Sequence, residues 1–197
     1  KTSIGKLLSE ELNSQFISSG FLYRTIANAF KEYEATLDSY TPLPYWEHVF
    51  SLLSSNTLEV KIVEINDDES LIEFNNLAYE MHNTLNISTK DNYKPEITDI
   101  SSKISKLSNI RSSVNNYLKD YVSDSSLTVV EGRDIGSVVF KDAKLKIYID
   151  SPLELRAKRR LSQSSNREKI EDIARRDAAD STRENSPLII PDGSIII

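Results

Sequence analysis

Residues 131–140 read EGRDIGSVVF, and they follow the short apolar run Leu127-Thr128-Val129-Val130. That run has the length and β-branched composition of a buried strand. Arg133 and Asp134 then stand at its carboxyl end, on a backbone loosened by Gly132 and Gly136. In open α/β sheets, ligands bind in the crevice outside the carboxyl ends of the strands. A fork donor and a carboxylate placed there point to a site. A solvated turn carrying an Arg–Asp pair is the other reading these ten residues allow.

Upstream, Ile4, Leu7, Leu8 and Leu12 have the spacing of an amphipathic helix over residues 3–12. Gln15-Phe16-Ile17 reads as a short strand ended by Ser18-Ser19-Gly20, and residues 21–30 read as a second helix through Leu22, Ile26, Ala29 and Phe30. Pro42 and Pro44 make residues 40–45 a turn or linker, with a further helical turn or two expected over 46–53. Residues 58–65 and 71–75 are strand-like around the acidic turn Asn66-Asp67-Asp68-Glu69, which predicts an antiparallel hairpin. Residues 83–94 are polar and without period, and are expected to be mobile. Helical spacing resumes over 97–122 with a break near Ser108-Asn109.

Downstream, residues 145–149 predict a strand, and Asp150-Ser151-Pro152 introduces a helix from about Leu153. A second basic helix is predicted over about 168–183, and a last strand over 195–197. Strands alternate with helices at both ends, and the acidic hairpin lies between them. That order predicts an α/β core carrying an inserted small unit.

Composition narrows the function. With 197 residues, 39% hydrophobic and 27% charged, the chain has the make-up of a soluble globular protein. No apolar run approaches the roughly 20 residues that span a bilayer, and nothing at the start resembles a signal peptide. The absence of Cys excludes disulfides and thiolate metal sites, and His48 and His82 are too isolated to suggest zinc. A net charge of −6 argues against general nucleic-acid binding. The charge is uneven, however. Residues 56–100 hold ten acidic and three basic side chains, whereas residues 151–185 hold seven acidic and nine basic.

The late basic residues form a pattern. Arg176, Asp180 and Arg183 stand at i, i+4 and i+7, so one helix face presents all three. Arg156 and Arg160 share a face of the preceding helix, and Tyr23-Arg24 sits one turn into the helix after Ser18-Ser19-Gly20. Surface ladders and a capped helix start would explain each separately. Arginine rather than lysine on two successive helices favours phosphate, which the guanidinium fork matches. No GxGxxG, HExxH or Ser/His/Asp set is present.

Taken in order, Lys1-Thr2-Ser3, Ser18-Ser19-Gly20 with Tyr23-Arg24, EGRDIGSVVF, RAKRR at 156–160 and RRDAADSTRENSPL at 175–188 resemble the bacterial cytidylate kinases. The resemblance covers roughly residues 1–30 and 100–197. It implies a P-loop nucleoside monophosphate kinase: a parallel sheet with helices on both faces, a small inserted domain for the monophosphate, and a lid. The corresponding boundaries are core 1–49, insert 50–95, core 96–155, lid and flanking helices 156–183, and last core strand 184–197.

The implied reaction moves the γ-phosphoryl group of ATP to CMP or dCMP with Mg²⁺, in the cytoplasm, by a monomer without nucleic-acid or membrane partners. By resemblance, Lys1, Thr2 and Ser3 serve ATP, with Ser3 a Mg²⁺ ligand. Ser102, Arg111 and Asp134 read cytosine, and Arg176 and Asp180 hold the ribose. Arg24, Arg133 and Arg183 hold the acceptor phosphate beside Ser19, with Lys1, Arg133 and Arg183 the catalytic set. Arg156 and Arg160 serve the ATP side from the lid. Ser18 stands where the family often has Asp, and the acidic insert matches poorly. Two other readings stay open: a catalytically silent nucleotide-binding module, and a kinase of another nucleoside monophosphate.

Overall fold

The computed structural model describes residues 2–36, 51–66, 68–77, 80–125, 127–156, 158, 178 and 188–197. Helix α1 (Thr2–Glu11) ends where Asn13 takes a left-handed φ of 47°, a conformation that Asn tolerates, while Ser14 N–H donates back to the Ser9 carbonyl. Strand β1 (Gln15–Ser18) runs directly into α2 (Ser19–Thr36). Strand β5 (Thr128–Glu131) lies parallel to β1, with Ile17 opposite Val130 and Ser18 opposite Glu131. Both α1 and α2 pack on this pair. A second parallel pair joins β6 (Ile147–Tyr148) to β7 (Ile195–Ile196). The predicted strand over 145–149 therefore shortens to two residues. The α/β class expected from the alternation holds.

The inserted region is a three-stranded antiparallel sheet in the order β2 (Leu58–Ile65), β3 (Glu69–Asn76), β4 (Met81–Ser88). The predicted hairpin supplies β2 and β3. Residues 83–94, expected to be mobile, instead form most of β4 and a short 3-10 turn, Thr89–Asp91. The error has a physical cause. Strand β4 does alternate, but its outward set is His82, Thr84, Asn86 and Ser88, and its inward set includes Asn83 beside Leu85 and Ile87. An edge strand of that polarity carries almost no hydrophobic period.

Helix α2 joins the two sheets. Its Leu22, Ile26, Phe30 and Tyr33 are fully buried. Tyr33 stacks on Phe74 at 4.6 Å and Phe30 meets the same ring edge-on at 5.3 Å. The Tyr33 hydroxyl accepts a bond from Asn76 Nδ2 at 3.1 Å, so its polar tip is satisfied inside the core. Helices α3 (Pro95–Ile104) and α4 (Ser108–Ser123) complete the core through Ile97, Ile100, Ile104, Ile110, Val114 and Leu118, all but Ile110 belonging to the helical period of the sequence. Pro95 opens α3, where its missing N–H costs nothing. Ile4, Leu7 and Leu12, which defined α1 as amphipathic, are exposed.

Candidate active site

The parallel register brings the ends of β1 and β5 side by side, and the side chains there are polar. Glu131 Oε2 accepts from Ser18 Oγ at 2.7 Å and from Thr2 Oγ1 at 3.0 Å. One carboxylate thus ties two strand ends to the first turn of α1. The backbone N–H groups of that turn, together with the helix dipole, favour an anion. Ser3 is exposed in the same turn.

Gly132 is required by packing. A Cβ there would come under 3.0 Å from both Ile135 Cγ1 and Ser19 Oγ, so the turn lies tightly against the buried start of α2. Arg133 follows half-buried, and Asp134 is buried. Asp134 Oδ2 forms an ion pair with Arg111 Nη2, both side chains being 7% exposed, and Arg111 Nη1 donates to the Ser105 carbonyl at 3.0 Å. Ser105 Oγ in turn donates to the Ser102 carbonyl at 3.0 Å. A chain of polar contacts therefore runs from the end of α3, through the start of α4, to the turn after β5. Two desolvated charges of opposite sign hold each other there; removing either would strand the other.

Arg24 lies one turn into α2. Its Nη1 donates to the Gly20 carbonyl at 2.9 Å, and its guanidinium lies 5.2 Å from the ring centre of Tyr93. Arg156 folds back at the start of its helical turn, with Nε donating to the Ser151 carbonyl at 3.0 Å.

An arginine, a carboxylate-anchored helix start and a buried Arg–Asp pair at parallel strand ends are the parts a nucleotide phosphotransferase uses. The sequence pattern of the cytidylate kinase family matches residues 1–197. The chain belongs to this family. Among similar proteins are the cytidylate kinase of Chlamydia caviae, 32% identical over all of this chain and 84% of that protein, and that of Mycoplasmopsis pulmonis, 30% identical over all of this chain and 81% of that protein. Cytidylate kinase 1 of Borreliella burgdorferi is 33% identical over 98% of this chain and 81% of its own length. The P-loop nucleoside monophosphate kinase fold follows from the family and agrees with the parallel pairs and their helices.

Of the residues expected at a cytidylate kinase site, the structure gathers Thr2, Ser19, Arg111, Arg133 and Asp134 around the β1 and β5 ends, with Ser102 linked to them through Ser105. Arg24 lies one turn beyond Ser19 on α2, and Arg156 bonds back to the Ser151 carbonyl on its own helical turn. Lys1, Arg160, Arg176, Asp180 and Arg183 lie outside the described residues. Two side chains of this region carry no signal in the sequence. Glu131 has no visible role there, because its partners Thr2 and Ser18 are more than a hundred residues away and only the register unites them. Tyr93 lay in the segment misread as mobile. No helix of the described residues is long and apolar enough to cross a membrane.

Proposed function

We propose that the chain transfers the γ-phosphoryl group of ATP to CMP or dCMP, giving ADP and CDP or dCDP. An oxygen of the acceptor phosphate attacks Pγ, and the bond from Pγ to the β–γ bridging oxygen breaks. The observation carrying this reading is the convergence of Glu131, the α1 start and the Arg111–Asp134 pair at the β1 and β5 ends, in a chain matched along its length by the family.

Phosphoryl transfer asks little covalent chemistry of a protein. It asks for two phosphates in line and their charge neutralised. Lys1 and the first turn of α1 would hold the ATP phosphates, with Arg156 and Arg160 closing on that side. Arg24, Arg133 and Arg183 would hold the acceptor phosphate, flanked by Ser19. Arg176 and Asp180 would hold the ribose.

Base selection falls to Ser102, Arg111 and Asp134. Cytosine offers an exocyclic amine donor beside a ring nitrogen acceptor, and a carboxylate held against an arginine supplies the matching acceptor and donor. Uracil presents a carbonyl where the amine should be, so it would leave a buried polar group unpaired. Such mismatches discriminate strongly.

Mg²⁺ fits the donors present. The hydroxyls of Thr2, Ser3 and Ser18 and the carboxylate of Glu131 are hard oxygens, and Mg²⁺ in nucleotide sites is held by one or two protein oxygens plus phosphates. Bound with ATP, with Ser3 as its protein ligand, it would neutralise phosphate charge. The β2–β4 sheet within residues 50–95 would serve as the monophosphate-binding unit and residues 156–183 as the lid. The enzyme would act as a cytoplasmic monomer.

The test is ADP formation by the full-length protein with CMP, dCMP, UMP and AMP as acceptors. Turnover on CMP or dCMP well above the others is expected. Equal rates with AMP would overturn the cytidine assignment, and no turnover with any acceptor would leave a silent binding module.

A further inference from the structure

We propose that Tyr93 is a positioning residue that holds Arg24 for the acceptor phosphate. The inference rests on the reading of Arg24 as a ligand of that phosphate, and goes beyond it by assigning a role to an exposed aromatic side chain on a different element.

Tyr93 is 64% exposed. Its face is occupied by the Arg24 guanidinium at 5.2 Å, within the range of a cation–π contact. The same guanidinium also meets the backbone of α2. Nη1 donates to the Gly20 carbonyl at 2.9 Å, and a Cβ on residue 20 would lie 3.2 Å from the same nitrogen. Arg24 therefore contacts both a bare backbone and an aromatic ring. Both contacts reduce the rotamer freedom that a long arginine would lose on gripping a phosphate.

The backbone that carries the ring is fixed by its neighbours. Asn92, the preceding residue, is fully buried. Its Nδ2 donates to Thr25 Oγ1 at 2.8 Å and its Oδ1 accepts from Asn28 Nδ2 at 3.2 Å. Asn28 Nδ2 also reaches the Ser88 carbonyl at 2.9 Å, and Thr25 Oγ1 donates to the Phe21 carbonyl at 3.1 Å. Arg24, Thr25 and Asn28 stand at i, i+1 and i+4 within about one turn of α2, so the buried asparagine pins the chain beside the arginine. Lys94 N–H closes the turn on the Asp91 carbonyl at 3.0 Å, and Pro95 then starts α3. Satisfied buried amides of this kind specify one arrangement because any other would leave them unpaired.

Kinetics of Tyr93→Leu, Tyr93→Phe, Arg24→Gln and the Tyr93→Leu/Arg24→Gln double variant in the full-length protein test the proposal. Tyr93→Leu is expected to raise KM for CMP roughly two- to fivefold, with KM for ATP and the thermal midpoint unchanged. Tyr93→Phe, which keeps the ring face, should restore the parent KM. On the Arg24→Gln background, Tyr93→Leu should add nothing. A rise with Arg24→Gln but none with Tyr93→Leu overturns the positioning role alone. An effect of Tyr93→Leu that persists without Arg24, or that Phe fails to rescue, overturns it too, since the tyrosine would then act by itself or through its hydroxyl. No effect of Arg24→Gln removes the phosphate reading of Arg24 and the positioning role with it.

Discussion

The strand ends of β1 and β5 and the three-stranded sheet β2–β4 use polar residues in opposite ways. At the strand ends, polar groups are drawn inward. Arg111 and Asp134 are buried against each other, and one carboxylate gathers hydroxyls from α1 and β1. In the sheet, polar groups face outward, as in the Lys61–Glu73 pair at 3.8 Å across β2 and β3, while Val60, Ile62, Ile72 and Phe74 face in. Burying charge is costly unless each charge has a partner. The first region therefore carries a desolvation cost that the second avoids, and the second follows the ordinary division of a sheet with one wet face. Among the polar groups that the sheet region buries, Asn76 and Asn92 are neutral amides that bond to Tyr33, Thr25 and Asn28 of α2.

The contrast can be broken by substitution. Asp134→Ala leaves Arg111 buried without its carboxylate and should lower unfolding stability by about 3–5 kcal/mol in urea melts. The matching change Glu73→Ala should cost no more than ~1 kcal/mol. Equal costs would mean that the two pairs are not different in kind. Gly132→Ala drives a methyl group into Ser19 and Ile135 and should cost about 1–3 kcal/mol, with a rise in KM for CMP as the turn moves from α2. Asn92→Ala removes a partner from Thr25 and Asn28 and should cost about 1–3 kcal/mol. Faster amide exchange confined to the 81–95 region would show that the amides dock the sheet.

The smallest effect is expected where α2 meets α3 at the surface. Lys31 Nζ donates to Glu96 Oε1 at 2.6 Å, and that hydrogen bond, with the charge of Lys31, holds the Glu96 carboxyl below its usual range. A depressed carboxylate pKa adds stability above the unfolded value, near 4.3, and loses it as pH falls through the folded value. Glu96→Gln should therefore shift the thermal midpoint slightly at pH 7, and parent and variant should converge in acid. A gap that widens in acid would contradict the sign.

The sequence made the strand-end region legible because its signals are local. An apolar run ends at Val130, Gly132 stands two residues on, and the charged pair is complete within four residues, so β5 and its turn could be placed without tertiary information. Residues 58–65 announced β2 by alternation. Strand β4 was lost because His82, Asn83, Thr84 and Asn86 give an edge strand the composition of a loop. The role of Glu131 depends on the pairing of Ser18 with Glu131, and that of Tyr93 on a turn pinned by Asn92, neither of which is a local property.

The proposed selection of the acceptor's base by the turn after β5 can be read from kcat/KM for CMP and for UMP in the parent protein and in Asp134→Asn, which keeps the shape of the side chain and removes its charge. The parent should favour CMP by well over ~100-fold, and the variant should lose at least about tenfold of that preference while keeping measurable turnover. A variant that retains the full CMP preference would contradict the claim.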